Sequence, residues 1–138
     1  MSSEDALAEL TAELVAIDSV NPDLVPGGAG EAKVAEIVAA WLETAGLEVE
    51  LTEPAPGRPN VVGRARGSGG GRTLLLNAHM DTVGIAGVER PFEPVVRDGR
   101  LHGRGAGDMK GPLAAIMLVV RGCGHRTEGR RRRYGRLG

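Results

Sequence analysis

Thr73-Leu74-Leu75-Leu76-Asn77-Ala78-His79-Met80-Asp81 is the stretch whose reading decides the fold. Its leucines follow one another instead of alternating with polar residues, so residues 72–78 predict a central strand covered on both faces, as in an α/β sheet. Gly67-Ser68-Gly69-Gly70-Gly71 precedes it as a flexible turn. His79 then falls where the strand ends, and ligands of open α/β sheets collect just beyond such carboxyl ends.

Working outward, Leu7, Leu10, Leu14 and Ile17 recur at helical spacing behind Ser2 and Ser3, predicting a capped helix over 3–17 that stops at Asn21-Pro22. After the loop Gly27-Gly28-Ala29-Gly30, one face of a second helix is formed by Val34, Ile37, Val38, Trp41 and Leu42, and Gly46 closes it. Both stripes are core faces. Leu47-Glu48-Val49-Glu50-Leu51 alternates as a half-buried strand, and residues 60–66 predict its neighbour. Downstream, Pro94-Val95-Val96-Arg97 and Arg100-Leu101-His102 flank Asp98-Gly99, a two-residue hairpin signal. A last helix is expected over 109–120, with Pro112 in its first turn and Leu113, Ile116, Met117 and Val120 on one face.

With 138 residues, 41% of them hydrophobic, the chain is of one-domain size and long enough to bury a core. One Phe, one Trp and one Tyr make that core aliphatic. The acidic start Met1-Ser2-Ser3-Glu4-Asp5 does not resemble a secretory signal, and no apolar run has the length of a membrane span. A cytoplasmic protein with no membrane partner is expected. Cys123, the single cysteine, has no disulfide partner in the chain. The net charge of −1 conceals a break: residues 1–120 carry 17 acidic and 10 basic side chains, and residues 121–138 carry 1 and 7. This divides the chain into 1–120, part of a catalytic domain, and 121–138, an Arg/Gly-rich tail expected to be disordered or the product of a shifted reading frame. A basic tail suits an acidic partner, but nucleic-acid binding is not expected.

The chemistry lies at His79, Asp81 and Asp108. A neutral imidazole and a carboxylate are ligands for zinc or a related divalent ion, and a carboxylate has two oxygens with which to bridge a pair of ions. Asp81, two residues beyond His79, is placed to hold the ring in one tautomer. His102 reads as a hairpin side chain, and His125 with Cys123 is too sparse for a zinc site. Gly103-Arg104-Gly105-Ala106-Gly107-Asp108 ends in Asp and follows a hairpin, which excludes a dinucleotide fingerprint. A phosphate loop and a nucleophile elbow are also absent from the sequence.

Leu74-Leu75-Leu76-Asn77-Ala78-His79-Met80-Asp81-Thr82-Val83, Pro91-Phe92-Glu93-Pro94, Asp98-Gly99-Arg100-Leu101-His102-Gly103-Arg104-Gly105 and Asp108-Met109-Lys110-Gly111 together resemble the acetylornithine deacetylase, succinyl-diaminopimelate desuccinylase and glutamate carboxypeptidase family of zinc hydrolases. The resemblance implies an α/β fold comprising the incomplete N-terminal part of a zinc-peptidase-like catalytic domain, with two N-terminal helices, a mixed sheet and a final helix cut short. It further implies that His79 binds one metal, Asp108 bridges two and Asp81 orients His79. Zinc, two ions per complete site, is the implied cofactor, with cobalt or manganese as substitutes. The implied substrate is a small N-acyl amino acid or peptide, and complete relatives are expected to be homodimers.

In that family an adjacent Glu-Glu pair supplies the general base and a ligand, and a further acidic residue and a distant His complete the site. After Asp108 this chain has one carboxylate, Glu128. The expectation is therefore an amide hydrolase of the acetylornithine deacetylase kind, truncated near residue 121, inactive alone and prone to partial unfolding or aggregation. A dipeptidase, carboxypeptidase or desuccinylase of the same family is one alternative. A short non-catalytic interaction protein with a basic tail is another.

Overall fold

A computed structural model describes residues 2–134, with side chains through Cys123. The order is α1 (Ser3–Val15), α2 (Ala32–Thr44), β1 (Glu48–Ala55), β2 (Arg58–Arg64), β3 (Val95–Arg97), β4 (Arg100–His102) and α3 (Gly111–Tyr134). The chain is α/β, with three helices and two antiparallel strand pairs, β1-β2 and β3-β4, among the described residues.

Local chemistry accounts for most of these boundaries. Ser2 Oγ accepts the Asp5 N–H at 3.1 Å while Asp5 takes the Ser2 N–H at 3.0 Å, a reciprocal cap that satisfies two orphan donors at the start of α1. At the β3-β4 turn Asp98 and Gly99 adopt φ 52° and 71°, the doubly left-handed geometry that a two-residue hairpin requires. Leu10, Leu14 and Ile17 meet Val34, Val38, Leu42 and Leu47, with Leu113, Ala114 and Met117 closing the core from α3. Burying each large aliphatic side chain contributes about 2 kcal/mol. On α3, Ala114 takes the buried place that the helical stripe assigned to Ile116 and Val120, which are half-buried. Arg58 ties β2 to the start of α2, reaching Glu31 at 2.7 Å and also Asp23.

The third strand is not formed. Residues 72–78 have no strand partner among the described residues, and Leu74 and Leu75 are 79% and 82% exposed. A strand is stable when its N–H and C=O groups pair with a neighbour and its side chains are covered, and here neither condition holds. The expected mixed sheet reduces to the two antiparallel pairs and one parallel bridge, Val20 with Thr82. Nor does the last helix stop at 120, since α3 passes residue 121 unbroken as far as Tyr134. Residues 135–138, with Leu137, and the side chains of His125, Glu128 and the Arg-rich 130–133 lie outside the described residues.

Candidate metal centre

Three backbone segments converge on His79. The first is the chain after α1, residues 17–21, whose bridge to Thr82 carries the bonds Thr82 N–H to Ser19 O and Asn21 N–H to Thr82 O, both 2.9 Å. The second is the 79–82 segment itself, with Ser19 Oγ donating to the Met80 carbonyl at 2.8 Å. The third is the wider turn Ala106–Lys110 ahead of α3, in which Asp108 (φ −132°, ψ 93°) and Met109 (φ −135°, ψ 40°) leave helical geometry and are joined by a cis peptide. Gly105, at φ 80°, begins that turn, and a Cβ there would stand 2.6 Å from Thr82 Cγ2, so the two segments approach as closely as glycine allows.

This convergence brings the three sequence-predicted residues together. His79 Nε2 lies 2.9 Å from Asp108 Oδ1, and its Nδ1 lies 3.1 Å from both Asp81 Oδ1 and the Asp81 carbonyl. The side chains of His79 and Asp108 are 47% and 84% exposed, against 24% for Asp81, so the Nε2 side opens to solvent and the Nδ1 side is backed by protein. Burial pulls the imidazole pKa down. The Asp108 hydrogen bond, the Asp81 carbonyl and the charges of Asp81 and Asp108 outweigh that pull, and the ring holds its proton above the usual imidazole range.

Two nearby residues had no role in the sequence reading beyond marking a helix stop and filling out a motif. Asn21 Nδ2 donates to Asp81 Oδ2 at 2.7 Å. Lys110, fully buried, donates from Nζ to the Ile17 carbonyl at 2.6 Å, and burial, opposed by the charge of Asp18, pushes its ammonium down to about 8. An Asn just past a helix, and a Lys in the first turn of an apolar helix next to a candidate ligand, were the available signals.

In kind, the donors fit a divalent cation, because an imidazole nitrogen and a carboxylate oxygen face each other at the solvent edge of a braced turn. In number they fall short. Among the described residues no group of three or more His, Cys, Asp or Glu side chains is placed to hold a metal ion, whereas a hydrolytic centre takes about three protein ligands and a water.

Residues 75–131 match the Peptidase_M20 profile, peptidase family M20/M25/M40. The chain is 40% identical over 118 residues to succinyl-diaminopimelate desuccinylase of Leptothrix cholodnii, an overlap of 80% of this chain and 29% of that protein. The chain belongs to peptidase family M20/M25/M40. It is also 40% identical over 96 residues to acetylornithine deacetylase of Vibrio campbellii, covering 67% of this chain and 25% of the relative. With N-formyl-4-amino-5-aminomethyl-2-methylpyrimidine deformylase of Bacillus subtilis it shares 34% identity over 90 residues, 61% of this chain and 21% of that one. The M20/M25/M40 match contains His79, Asp81 and Asp108 and continues past residue 121. The chain thus spans between 21% and 29% of the length of these three relatives. No helix among the described residues is long and apolar enough to cross a membrane.

Proposed function

We propose that the chain carries part of the metal centre of a cytoplasmic hydrolase that removes an acyl group from a small amino-acid derivative. In this reading His79 and Asp108 are metal ligands and Asp81 orients His79. The observation that supports it is the placement of His79 Nε2 against Asp108 Oδ1 at 2.9 Å, from segments 29 residues apart, with the opposite ring nitrogen held by Asp81. Zinc, when bound, supplies Lewis acidity at the amide carbonyl and an activated water. What this chain contributes is positional. Asp81 keeps a proton on Nδ1, which leaves the Nε2 lone pair for the ion, and Asp108 presents a carboxylate across from it. The names of the three relatives denote removal of formyl, succinyl and acetyl groups, which favours acyl-group removal over dipeptide cleavage as the reaction class.

Two ligands without a general base leave the 138 residues inactive alone, because both metal activation of water and the 10²- to 10⁴-fold typical of general acid-base catalysis are lost. In this reading residues 1–120 are part of the catalytic domain, whose family match runs on to residue 131, and 121–138 carry the Arg/Gly-rich tail.

The test has two arms. The 138-residue chain with added Zn²⁺ is expected to release no acyl group from N-formyl, N-acetyl or N-succinyl amino acids, and zinc-dependent turnover would overturn its inactivity. The second arm reads the DNA past codon 120 in all frames for a Glu-Glu pair and a later His and expresses the protein that such a frame encodes. That protein is expected to turn over one of these substrates and to lose metal and activity on His79→Ala. Unchanged metal content and activity in that variant would rule out the role of His79.

A further inference from the structure

Asn21 marks the end of a helix in the sequence, yet α1 already ends at Val15. In the fold every polar group of Asn21 is committed. Its N–H donates to the Thr82 carbonyl at 2.9 Å, and its carbonyl accepts from Leu24 at 3.2 Å and Val25 at 2.9 Å. The side-chain Oδ1 accepts the Asp23 N–H at 2.8 Å, and Nδ2 donates to Asp81 Oδ2 at 2.7 Å. These last two bonds fix which way the amide points. A flipped amide would set its oxygen against the Asp81 carboxylate and its NH₂ against the Asp23 N–H, placing acceptor against acceptor and donor against donor.

Asp81 divides its two oxygens accordingly. Oδ2 takes the Asn21 amide, and Oδ1 is left 3.1 Å from His79 Nδ1. The flanking residues hold the same register, with Ser19 Oγ on the Met80 carbonyl and the Ser19 carbonyl accepting from Thr82. We propose that Asn21 is a positioning residue for His79, acting through Asp81: the Asn21 amide holds the carboxylate in the rotamer that favours the proton of neutral His79 on Nδ1 over Nε2, where Asp108 Oδ1 at 2.9 Å competes for it. Its value to a metal site rests on the reading of His79 as a ligand. The orienting effect itself does not require a metal.

The test is ¹⁵N-resolved NMR of the His79 side chain in the metal-free 138-residue chain, at a pH where the ring is neutral. The wild type sets the reference ratio of Nδ1–H to Nε2–H, since acceptors face both ring nitrogens. Asn21→Asp keeps the size and the acceptor for Asp23 N–H and removes the donor facing Asp81. It is expected to lower the Nδ1–H to Nε2–H ratio on the order of fivefold, the equilibrium factor of one ordinary hydrogen bond. In an Asp81→Ala background the same substitution is expected to add nothing. A wild-type ratio in Asn21→Asp, or a full further shift on top of Asp81→Ala, would overturn the proposal. Asn21→Ala repeats the measurement without an added charge, and if it unfolds, Asn21→Asp carries the test. Titration with Zn²⁺ separates this inference from the reading beneath it. A tautomer that responds to Asn21 in a chain whose Zn²⁺ binding ignores His79 sinks the ligand assignment and leaves the positioning intact. A tautomer that ignores Asn21 in a chain that binds Zn²⁺ through His79 does the reverse.

Discussion

His79 sits between two acceptors, and the sign of its pH response follows from that. Its folded pKa is raised by Asp108 and Asp81 against the opposing effect of burial. The stabilisation from the imidazolium is therefore complete below the unfolded value, about 6.5, and is lost as pH rises through the higher folded value. The same proton competes with a cation for Nε2. Zn²⁺ affinity is accordingly expected to climb with pH through the His79 midpoint and level off above it, and Asp108→Asn is expected to lower that midpoint in an NMR titration. An unmoved midpoint would contradict the Asp108 contact. At this scale the sequence was informative wherever chemistry-bearing types stand close together, as in His79-Met80-Asp81 and Asp108-Met109-Lys110-Gly111. Asn21 and Lys110 were hidden because their roles depend on partners 60 and 93 residues away, and no local pattern encodes such a contact.

Elements with local signals formed where the pattern placed them. The cap at Ser2, the apolar stripe of α2 and the Asp98-Gly99 turn each work within a few residues, which is why α1, α2 and the β3-β4 pair were legible. Residues 72–78 carried an equally strong apolar signal, but a central strand also needs neighbours, and none is present among the described residues. Leu75→Lys is therefore expected to change the stability of this chain by less than about 0.5 kcal/mol in urea denaturation; a loss of several kcal/mol would mean the strand is buried after all. Lys110 fastens α3 to the end of α1 through the Ile17 carbonyl. Its folded pKa of about 8 lies below the unfolded value near 10.4, so the unfolded chain binds more protons between those values and stability rises with pH across that window. The gain is about 3 kcal/mol. Denaturation at pH 7.5 and 10 is expected to show this rise in the wild type and to lose it in Lys110→Met; an equal rise in both would exclude Lys110 as its source.

Across the whole molecule, a well-filled aliphatic core coexists with an uncovered apolar surface that includes Leu74, Leu75, Val95, Val96 and Val119. Such exposure favours association. Sedimentation velocity is expected to show concentration-dependent self-association that Leu74→Lys with Leu75→Lys reduces, and a monomer at all concentrations would contradict this. Family membership and the helices were readable from the chain, and the motifs, in order and at spacing, named three candidate residues that the fold brings together. The extent of the sheet was not readable, since pairing depends on strands that this stretch of about a quarter of a relative's length does not provide among its described residues. The central claim, that His79 and Asp108 hold a metal ion between them, is tested most directly by calorimetric titration of the 138-residue chain with Zn²⁺ at pH 8, beside His79→Ala and Asp108→Asn. The account predicts one weak site in the wild type, reduced at least tenfold in Asp108→Asn and abolished in His79→Ala. Identical isotherms for the three proteins would contradict it.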